Sequence, residues 1–582
     1  MSFSFRVKSS VLLATTTLAS LAYSAPAKAD DLAVMEHQIK AMQAQLAVMR
    51  KEHDREIKRI HDQLAQQRIT EERDPYSARN AYRTNGSVAT PSMLPPNNPG
   101  MATAWGGYNN SNVLLPASSA NTPYGRLTGT PQGHVESLYG PLHRGQIQIG
   151  GVRITLGGYL EAASIFRSRN NVSDISSNFG SIPFANSPNY HMNEFHESER
   201  QSRLAALVEG DITNTLRAQG YIETDFQGSG SSSNSRQSNS YVLRARVFYG
   251  QLIDDTDDLT LLGGQSWSLV TMFNHGMAAR DEQVPLVVDA QYVPGFNWTR
   301  NSQVRIVKGF DHGHYHVGLS VENPQQVIAP GSGGAYVPPG AKSDTYQNAG
   351  VNVYNPSTNY STDVAPDIVA KFAADPGWGH YELTGLLRFP HSRVSYEGFG
   401  KSKTSVAGGG GGGMVLPLIN KKLYFQASGL VGTGIGRYGT SNIPDVTIGK
   451  DGQVKPMPAA NALVGVYGNP TKALQLYAYG GIEMLRSRSY FNAGSKAYGY
   501  GNPLYNVGGC DIESATACQS SLNKVVQGTA GFWWTYLHGD YGTVKVGAQY
   551  SYTYLTSFSG AGGSPHTDDN MVFFSLRYLP FQ

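Results

Sequence analysis

The side chains with most chemistry to offer are arginines, and they recur on alternate positions of short apolar runs. In 199–209 the apolar phase is Leu204, Ala206 and Val208, which puts Gln201, Arg203 and Glu209 on the opposite face. In 216–226 Leu216, Ala218 and Ile222 share a face and leave Arg217, Gln219, Tyr221, Glu223 and Asp225 on the other. In 241–250 Leu243, Ala245, Val247 and Tyr249 alternate with Arg244 and Arg246. Further along, Arg305, Glu382, Arg388, Lys545 and Arg577 also fall on the polar phase. A guanidinium is planar and grips a carboxylate through paired donors, so this pattern suits the guidance of small organic acids. Arg203, Arg217, Arg244 and Arg246, on three consecutive runs, predict a basic ladder whose groups face water. The same residues would serve structure alone if they paired with Glu209, Glu223 and Asp225 to brace a polar wall.

Other motifs carry less. Gly434-Ile-Gly-Arg-Tyr-Gly439 matches GxGxxG but continues a strand pattern and opens no helix, so a dinucleotide site is not expected. Gly400-Lys401-Ser402 resembles a phosphate loop, yet Ser395 stands where the first glycine is required. The six glycines at 408–413 predict a strand that bends or lies close to another backbone. There is no G-x-S-x-G elbow and no histidine cluster at metal spacing, so neither an enzyme nor a metal or other cofactor is expected. Cys510 and Cys518, close together in a polar loop, predict a loop-closing disulfide.

The elements that must position these residues are strands. From Gly542 onward Val544, Val546, Ala548, Tyr550, Tyr552 and Tyr554 share one face, against Lys545, Gly547, Gln549, Ser551 and Thr553 on the other. The chain closes on Met571-Val-Phe-Phe-Ser-Leu-Arg-Tyr-Leu-Pro-Phe-Gln582, a second aromatic strand with one charge on its polar phase. Apolar-out, polar-in strands ending in a C-terminal aromatic strand are the pattern of a transmembrane β-barrel. Composition agrees: 66 Gly and 34 Tyr in 582 residues, 15% charged, mean hydropathy −0.33. After the first thirty residues no apolar run of about 18 occurs, so membrane-spanning helices are not expected.

Seven short turn signals punctuate the pattern: Thr213-Asn214, Asp254 to Asp258, Asp311-His-Gly, Asp375-Pro-Gly, Asn420-Lys421, Asn469-Pro-Thr and His538-Gly-Asp. Between them lie eight longer polar or Gly-rich stretches, near 168–198, 227–240, 268–301, 323–365, 390–403, 437–461, 488–523 and 557–569. Tight turns on one side and long loops on the other predict an all-β barrel of about sixteen antiparallel strands over 146–582, enclosing a water-filled lumen. The loop at 268–301 follows the fifth strand and carries Arg280, Asp281 and Glu282. It is the candidate for a constriction folded into the channel, the alternative being an ordinary surface loop.

Ahead of the barrel, Arg6 and Lys8, an apolar stretch from Val11 to Tyr23 and Ala27-Lys28-Ala29 predict a signal peptide over 1–29. The whole chain has 46 basic and 43 acidic side chains; the leader holds three basic and no acidic ones, so its removal leaves the net charge near zero. Whole-molecule charge therefore predicts no polyanion such as nucleic acid as a partner, and any ion preference must be local. Residues 30–68 lack Gly and Pro and step three-four through Leu32, Met35, Ile39, Met42, Leu46 and Met49, then four-four through His53 and Ile57. That is a coiled-coil seam with a stutter, expected to be held by partner copies, or else a single amphipathic helix. Residues 69–145, rich in Pro, Gly, Asn and Ser, predict a linker.

Several phrases resemble the DcaP-like family of trimeric outer-membrane porins. They are Arg200-Gln-Ser-Arg-Leu204, Gly264-Gln-Ser-Trp-Ser268, Pro366-Asp-Ile-Val-Ala-Lys371 with Gly377-Trp-Gly-His380 and Gly385-Leu-Leu-Arg388, and Gly434-Ile-Gly-Arg-Tyr438. The order of leader, coiled coil and barrel is also similar. The resemblance implies a homotrimer in outer-membrane lipid, a periplasmic coiled coil and a preference for small anions such as dicarboxylates. It places Arg203 and Arg388 in matching phrases; Arg217, Arg244 and Arg246 rest on strand phase. The expected function is passive diffusion of small hydrophilic solutes with anionic preference. The alternatives are a non-selective or sugar-conducting porin, favoured by Tyr159, Tyr221 and Trp533, and an envelope tether that uses the coiled coil.

Overall fold

The computed structural model describes residues 144–582 apart from 229–235, 350–358, 420–421 and 442, together with Lys40, Lys51, Arg55, Lys58 and Leu142. Those four basic N-terminal positions are helical and exposed. The expected signal at 1–29, the coiled coil at 30–68 and most of the linker at 69–145 otherwise lie outside the described residues.

Sixteen antiparallel strands close into a barrel. The first eight are β1 (Val152–Arg167), β2 (Arg203–Asp211), β3 (Leu216–Asp225), β4 (Arg244–Asp254), β5 (Leu259–Trp267), β6 (Arg300–Phe310), β7 (Tyr315–Glu322) and β8 (Asp367–Ala374). The rest are β9 (His380–Arg388), β10 (Ala407–Pro417), β11 (Leu423–Thr433), β12 (Pro458–Gly468), β13 (Leu474–Leu485), β14 (Leu522–Gly539), β15 (Gly542–Ser557) and β16 (His566–Leu579). Each pairs with its neighbour in sequence, and β1 closes the ring on β16, with Leu160 opposite Tyr578 and Arg167 opposite Met571. The short strand Gln146–Ile149 folds back on β1 beside the end of β16, and Glu194–Ser198 continues β2 upward along β1. Full closure leaves no strand edge unpaired, which is what a sheet in lipid requires.

Connections alternate between one end of tight turns and one end of long loops. At the short-turn end an outer ring of exposed aromatics includes Phe310, Tyr315, Trp378, Trp534, Tyr536 and Tyr541, the girdle of a membrane–water interface. Between the ends, Leu160, Leu204, Leu252, Leu383, Val464 and Phe574 point outward and are exposed, while the alternate positions are buried inward. The strand phases from sequence hold for β2, β3 and β15. They fail on β4. There Tyr249 and Val247 face inward and Phe248 and Leu252 outward, opposite to expectation. A register shift opposite Glu223 and Thr224, which pair with Val247 and Ala245, inserts one extra residue. That β-bulge flips the phase and still brings Arg246 inside. The chain end also leaves phase: after Leu579 it turns through Pro580, and Phe581 packs over Gly145.

The largest departure from a plain tube is the segment between β5 and β6. Its Leu269, Phe273, Met277, Val284, Leu286, Val288, Val293 and Phe296 are buried. Val284, Leu286, Val288, Val293 and Phe296 cluster with inward Tyr159, Leu207, Tyr221, Tyr249, Tyr477, Tyr479 and Trp533, and Leu269, Phe273 and Met277 with Val307, Val369, Ala373 and Leu386, so the lumen holds hydrophobic clusters of its own. Two wall glycines make room for the segment. A Cβ on Gly481 of β13 would lie 1.7 Å from the Pro294 carbonyl oxygen, and one on Gly413 of β10 would lie 2.4 Å from Met272 Sδ. The glycine tract of β10 thus removes side chains from a wall that loop 268–299 presses against. Cys510 and Cys518 form a disulfide within the loop between β13 and β14.

Candidate functional site

Loop 268–299 passes through the barrel in two arms. The first descends along β7 to β9: Leu269 N–H donates to Glu322 Oε1 (3.0 Å), Phe273 N–H to Glu382 Oε1 (2.9 Å) and Gly276 N–H to Asp375 Oδ2 (3.0 Å) in a short turn. The tip folds back, with Gln283 N–H donating to Met272 O. The second arm crosses to the far wall and climbs. Gln283 donates to Gln426 on β11 (2.8 Å), the Trp533 indole on β14 donates to Leu286 O (2.8 Å), and Gly295 N–H donates to Glu483 on β13 (2.8 Å). Glu483 also accepts from the backbone N–H groups of Thr440 and Ser441, which ties this loop to the one after β11. Backbone groups of the loop are satisfied by inward polar side chains of the wall. That is the condition for irregular chain at membrane depth.

The foot of the first arm is a balanced network. His380 Nδ1 lies 2.8 Å from Asp375 Oδ1 and its Nε2 3.1 Å from Glu382 Oε1, so both ring nitrogens face carboxylates, the pattern of a charged imidazolium. Lys371 Nζ meets Glu382 Oε2 at 2.6 Å and donates to Thr271 O of the loop. His275 and His316 lie 3.7 and 3.9 Å from Asp375. Burial raises the Asp375 carboxyl, but the His380 hydrogen bond and the charges of His380 and His275 outweigh it and hold it below the ordinary range. At the tip, burial and the neighbouring Glu282 push Asp281 up to about 8. Burial likewise pushes Glu282 up to about 7 against the pull of Arg305.

The β2–β4 wall differs. Arg203 approaches Glu223 at 3.8 Å; Arg246 pairs with Glu223 and with Asp225 (3.2 Å); Arg244 meets Asp225 at 2.7 Å. Arg300 joins them from the start of β6, its guanidinium 5.1 Å from the Trp267 ring and 5.2 Å from Trp298. Four cations here share two carboxylates. Tyr292 of the loop inserts its hydroxyl among them and accepts from Arg246 Nη2 at 2.9 Å.

The expected ladder therefore divides. Arg203, Arg244 and Arg246 gather at the long-loop end, whereas Arg217 sits at the short-turn end with Asp211 (3.8 Å) and Asp255 (3.2 Å). Tyr221, Tyr249, Gln219 and Gln251 occupy the wall between. The expectation that these arginines face water is overturned: Arg203, Arg217 and Arg246 are buried by the loop and by their partners, and only Arg244 is partly open. Their partners are Glu223, Asp225, Asp211 and Asp255; Glu209 instead takes a hydrogen bond from Gln219 (2.7 Å). Arg388 is a brace at the base of the long loops, bonded to Asp367 (3.1 Å) and Asp445 (2.9 Å). Arg305 lies in mid-barrel over the Phe273 ring at 5.8 Å. Lys545 faces inward near the short-turn end of β15, beside Arg577, which pairs with Glu161 (2.9 Å). Arg280 reaches over Tyr221 at 5.6 Å from the loop tip. Sequence reasoning missed Arg300 and Tyr292, and it placed Glu382 on the polar phase without its partners His380 and Lys371 or the Asp375 that shares His380. Arg300 lies at the seam of loop and strand, where phase gives no answer; the aromatic run Phe296-Asn-Trp298 before it was the available signal.

The sequence matches no known family profile, and no curated protein matches it. Among solved structures, the outer membrane channel DcaP of Acinetobacter baumannii is similar over 74% of this chain and 98% of its own, at 16% identity with a TM-score of 0.51. An anion-selective porin from Comamonas acidovorans covers 74% of this chain and 99% of its own at 10% identity, TM-score 0.39. OmpF of Salmonella typhi covers 75% and 99% at 11% identity, TM-score 0.39. The first of these establishes the fold, a barrel of the kind the sequence phrases resembled.

Proposed function

We propose that this chain, a barrel of the DcaP-like porin fold, is an outer-membrane porin that passes small hydrophilic solutes and favours anionic organic acids such as dicarboxylates. One observation carries the preference. At the long-loop end of the β2–β4 wall, Arg203, Arg244, Arg246 and Arg300 meet Glu223 and Asp225, leaving two positive charges in excess beside the lumen. Inside a low-dielectric wall such an excess attracts anions more strongly than it would in water. Loop 268–299 serves as the constriction, with Arg280, Asp281 and Glu282 at its tip. The resemblance and the seam at 30–68 support a homotrimer with a periplasmic coiled coil.

The inward Tyr159, Tyr221, Tyr249, Tyr477, Tyr479 and Trp533 favour a second reading, a sugar-conducting or non-selective channel. Titration of single-channel current with succinate and with glucose separates the two. Interruptions that grow with succinate and are absent with glucose are the expected result. Interruptions by glucose alone, or by neither, would remove the anionic preference.

A further inference from the structure

Tyr292 holds a backbone conformation that bulky side chains rarely adopt, with φ at +70°. Its surroundings fix it there. Its N–H donates to Asp289 O at 3.1 Å, and the neighbouring Gln291 exchanges hydrogen bonds with Thr440. The phenol ring packs against Trp267, Phe296 and Trp298, with centroids 6.0, 5.2 and 5.4 Å away. The result is a flat ring in an aromatic box, its oxygen delivered to a cluster of guanidiniums.

That oxygen is a poor match for what surrounds it. A phenol hydroxyl is neutral and takes few donors, whereas a carboxylate offers two oxygens, about four lone-pair sites and a full charge. Arg246 Nη2 uses the hydroxyl, but Arg300 Nη1 and Trp298 Nε1 have no hydrogen-bond partner, and Arg203 Nη1 reaches Glu223 only at 3.8 Å. Burial alone would raise the Tyr292 hydroxyl, yet Arg246, Arg300 and Arg203 together hold it below its ordinary value. The field at this point is that of an anion site.

We propose that Tyr292 is the resident occupant of an anion-docking site formed by Arg203, Arg246 and Arg300, and that an aromatic carboxylate displaces it. The solute's carboxylate replaces the hydroxyl, and its ring enters the box of Trp267, Phe296 and Trp298. The inference rests on the anion-preferring reading above and deepens it by naming the solute class and the residue that competes with it. Release of the left-handed backbone at Tyr292 favours the exchange.

The test is single-channel recording on the full-length protein with benzoate, benzamide and succinate. Tyr292→Phe keeps the ring and removes the hydroxyl, so benzoate should half-block at a concentration about tenfold lower than in the parent, the loss of one competing hydrogen bond. Benzamide should be unchanged, and adding Arg300→Gln should cancel the gain. If the parent prefers anions and is blocked by succinate but Tyr292→Phe leaves benzoate block unchanged, this inference fails and the porin reading stands. Equal block by benzoate and benzamide also overturns it. A parent without anion preference overturns both.

Discussion

Two walls of the lumen carry basic side chains on the same inward phase, and they differ in how those charges are matched. On β7–β9, Lys371 and His380 face Glu382 and Asp375, and the set anchors the descending arm of loop 268–299. At the long-loop end of β2–β4, Arg203, Arg244, Arg246 and, from β6, Arg300 face Glu223 and Asp225, and the loop adds the hydroxyl of Tyr292. The first wall is neutral and mechanical; the second keeps a positive surplus that a solute can use. Inward phase locates a charge, but the count of partners decides whether it holds the protein together or acts on what passes through.

The largest effect should come from breaking the neutral wall. Glu382→Leu leaves buried Lys371 without its carboxylate, takes one of two carboxylates from His380 and removes the acceptor of Phe273 N–H. Loss of one partner from a buried pair costs about 3–5 kcal/mol, so the descending arm should leave its seat and single-channel conductance should rise. Unchanged conductance in folded Glu382→Leu would mean the loop does not depend on this anchor. Gly481→Val should act next, because its side chain collides with Pro294 in the other arm. Overpacking of this kind costs about 1–3 kcal/mol, and faster tryptic cleavage after Arg280 would report the displaced loop.

The comparison sharpens within the β2–β4 wall. Arg246→Met leaves Glu223 and Asp225 short of a partner and should lower the unfolding temperature more than Arg300→Gln, which removes surplus charge only. A larger loss from Arg300→Gln would reverse the roles assigned to the two residues.

A pH effect follows from the loop tip. The carboxyls of Asp281 and Glu282 sit near 8 and 7, above the ordinary range of about 4. Between those values the folded chain holds protons that the unfolded chain has lost, so the stability of the seated loop falls as pH rises, and the fall is complete above about 8. The tip also gains two negative charges over that rise. The ratio of anion to cation permeability should therefore drop from pH 6 to pH 9, and Asp281→Asn with Glu282→Gln should flatten the profile. A ratio that climbs with pH would contradict the assignment. Deleting 30–68 should leave the selectivity of any reconstituted channels unchanged while reducing trimers on native gels. Envelope defects with intact trimers and normal uptake would instead favour a tether.

Much of the barrel was legible because period-two alternation and turn chemistry are local. Thr213-Asn214 and Asp375-Pro-Gly end strands wherever the rest of the chain lies. The β4 phase was not legible: a bulge is one extra residue, and nothing in Arg244-Ala-Arg-Val-Phe-Tyr249 marks it. Pairing was less legible still. Arg217 and Arg246 look alike in sequence, yet strand direction sends one to Asp255 in a turn and the other to Glu223 and Asp225 under the loop. The path of loop 268–299 depends on wall positions up to hundreds of residues away, among them Gly481 against Pro294 and Gln549, which accepts from Val288 N–H, and no local pattern connects them to it.

The most direct test of the central claim is the reversal potential of the purified protein in a planar bilayer under a potassium chloride gradient, compared with the Arg244→Gln/Arg300→Gln double variant. The account predicts a potential on the chloride side for the parent and a shift toward zero in the variant. A parent selective for potassium, or a variant with the parent's potential, would contradict it.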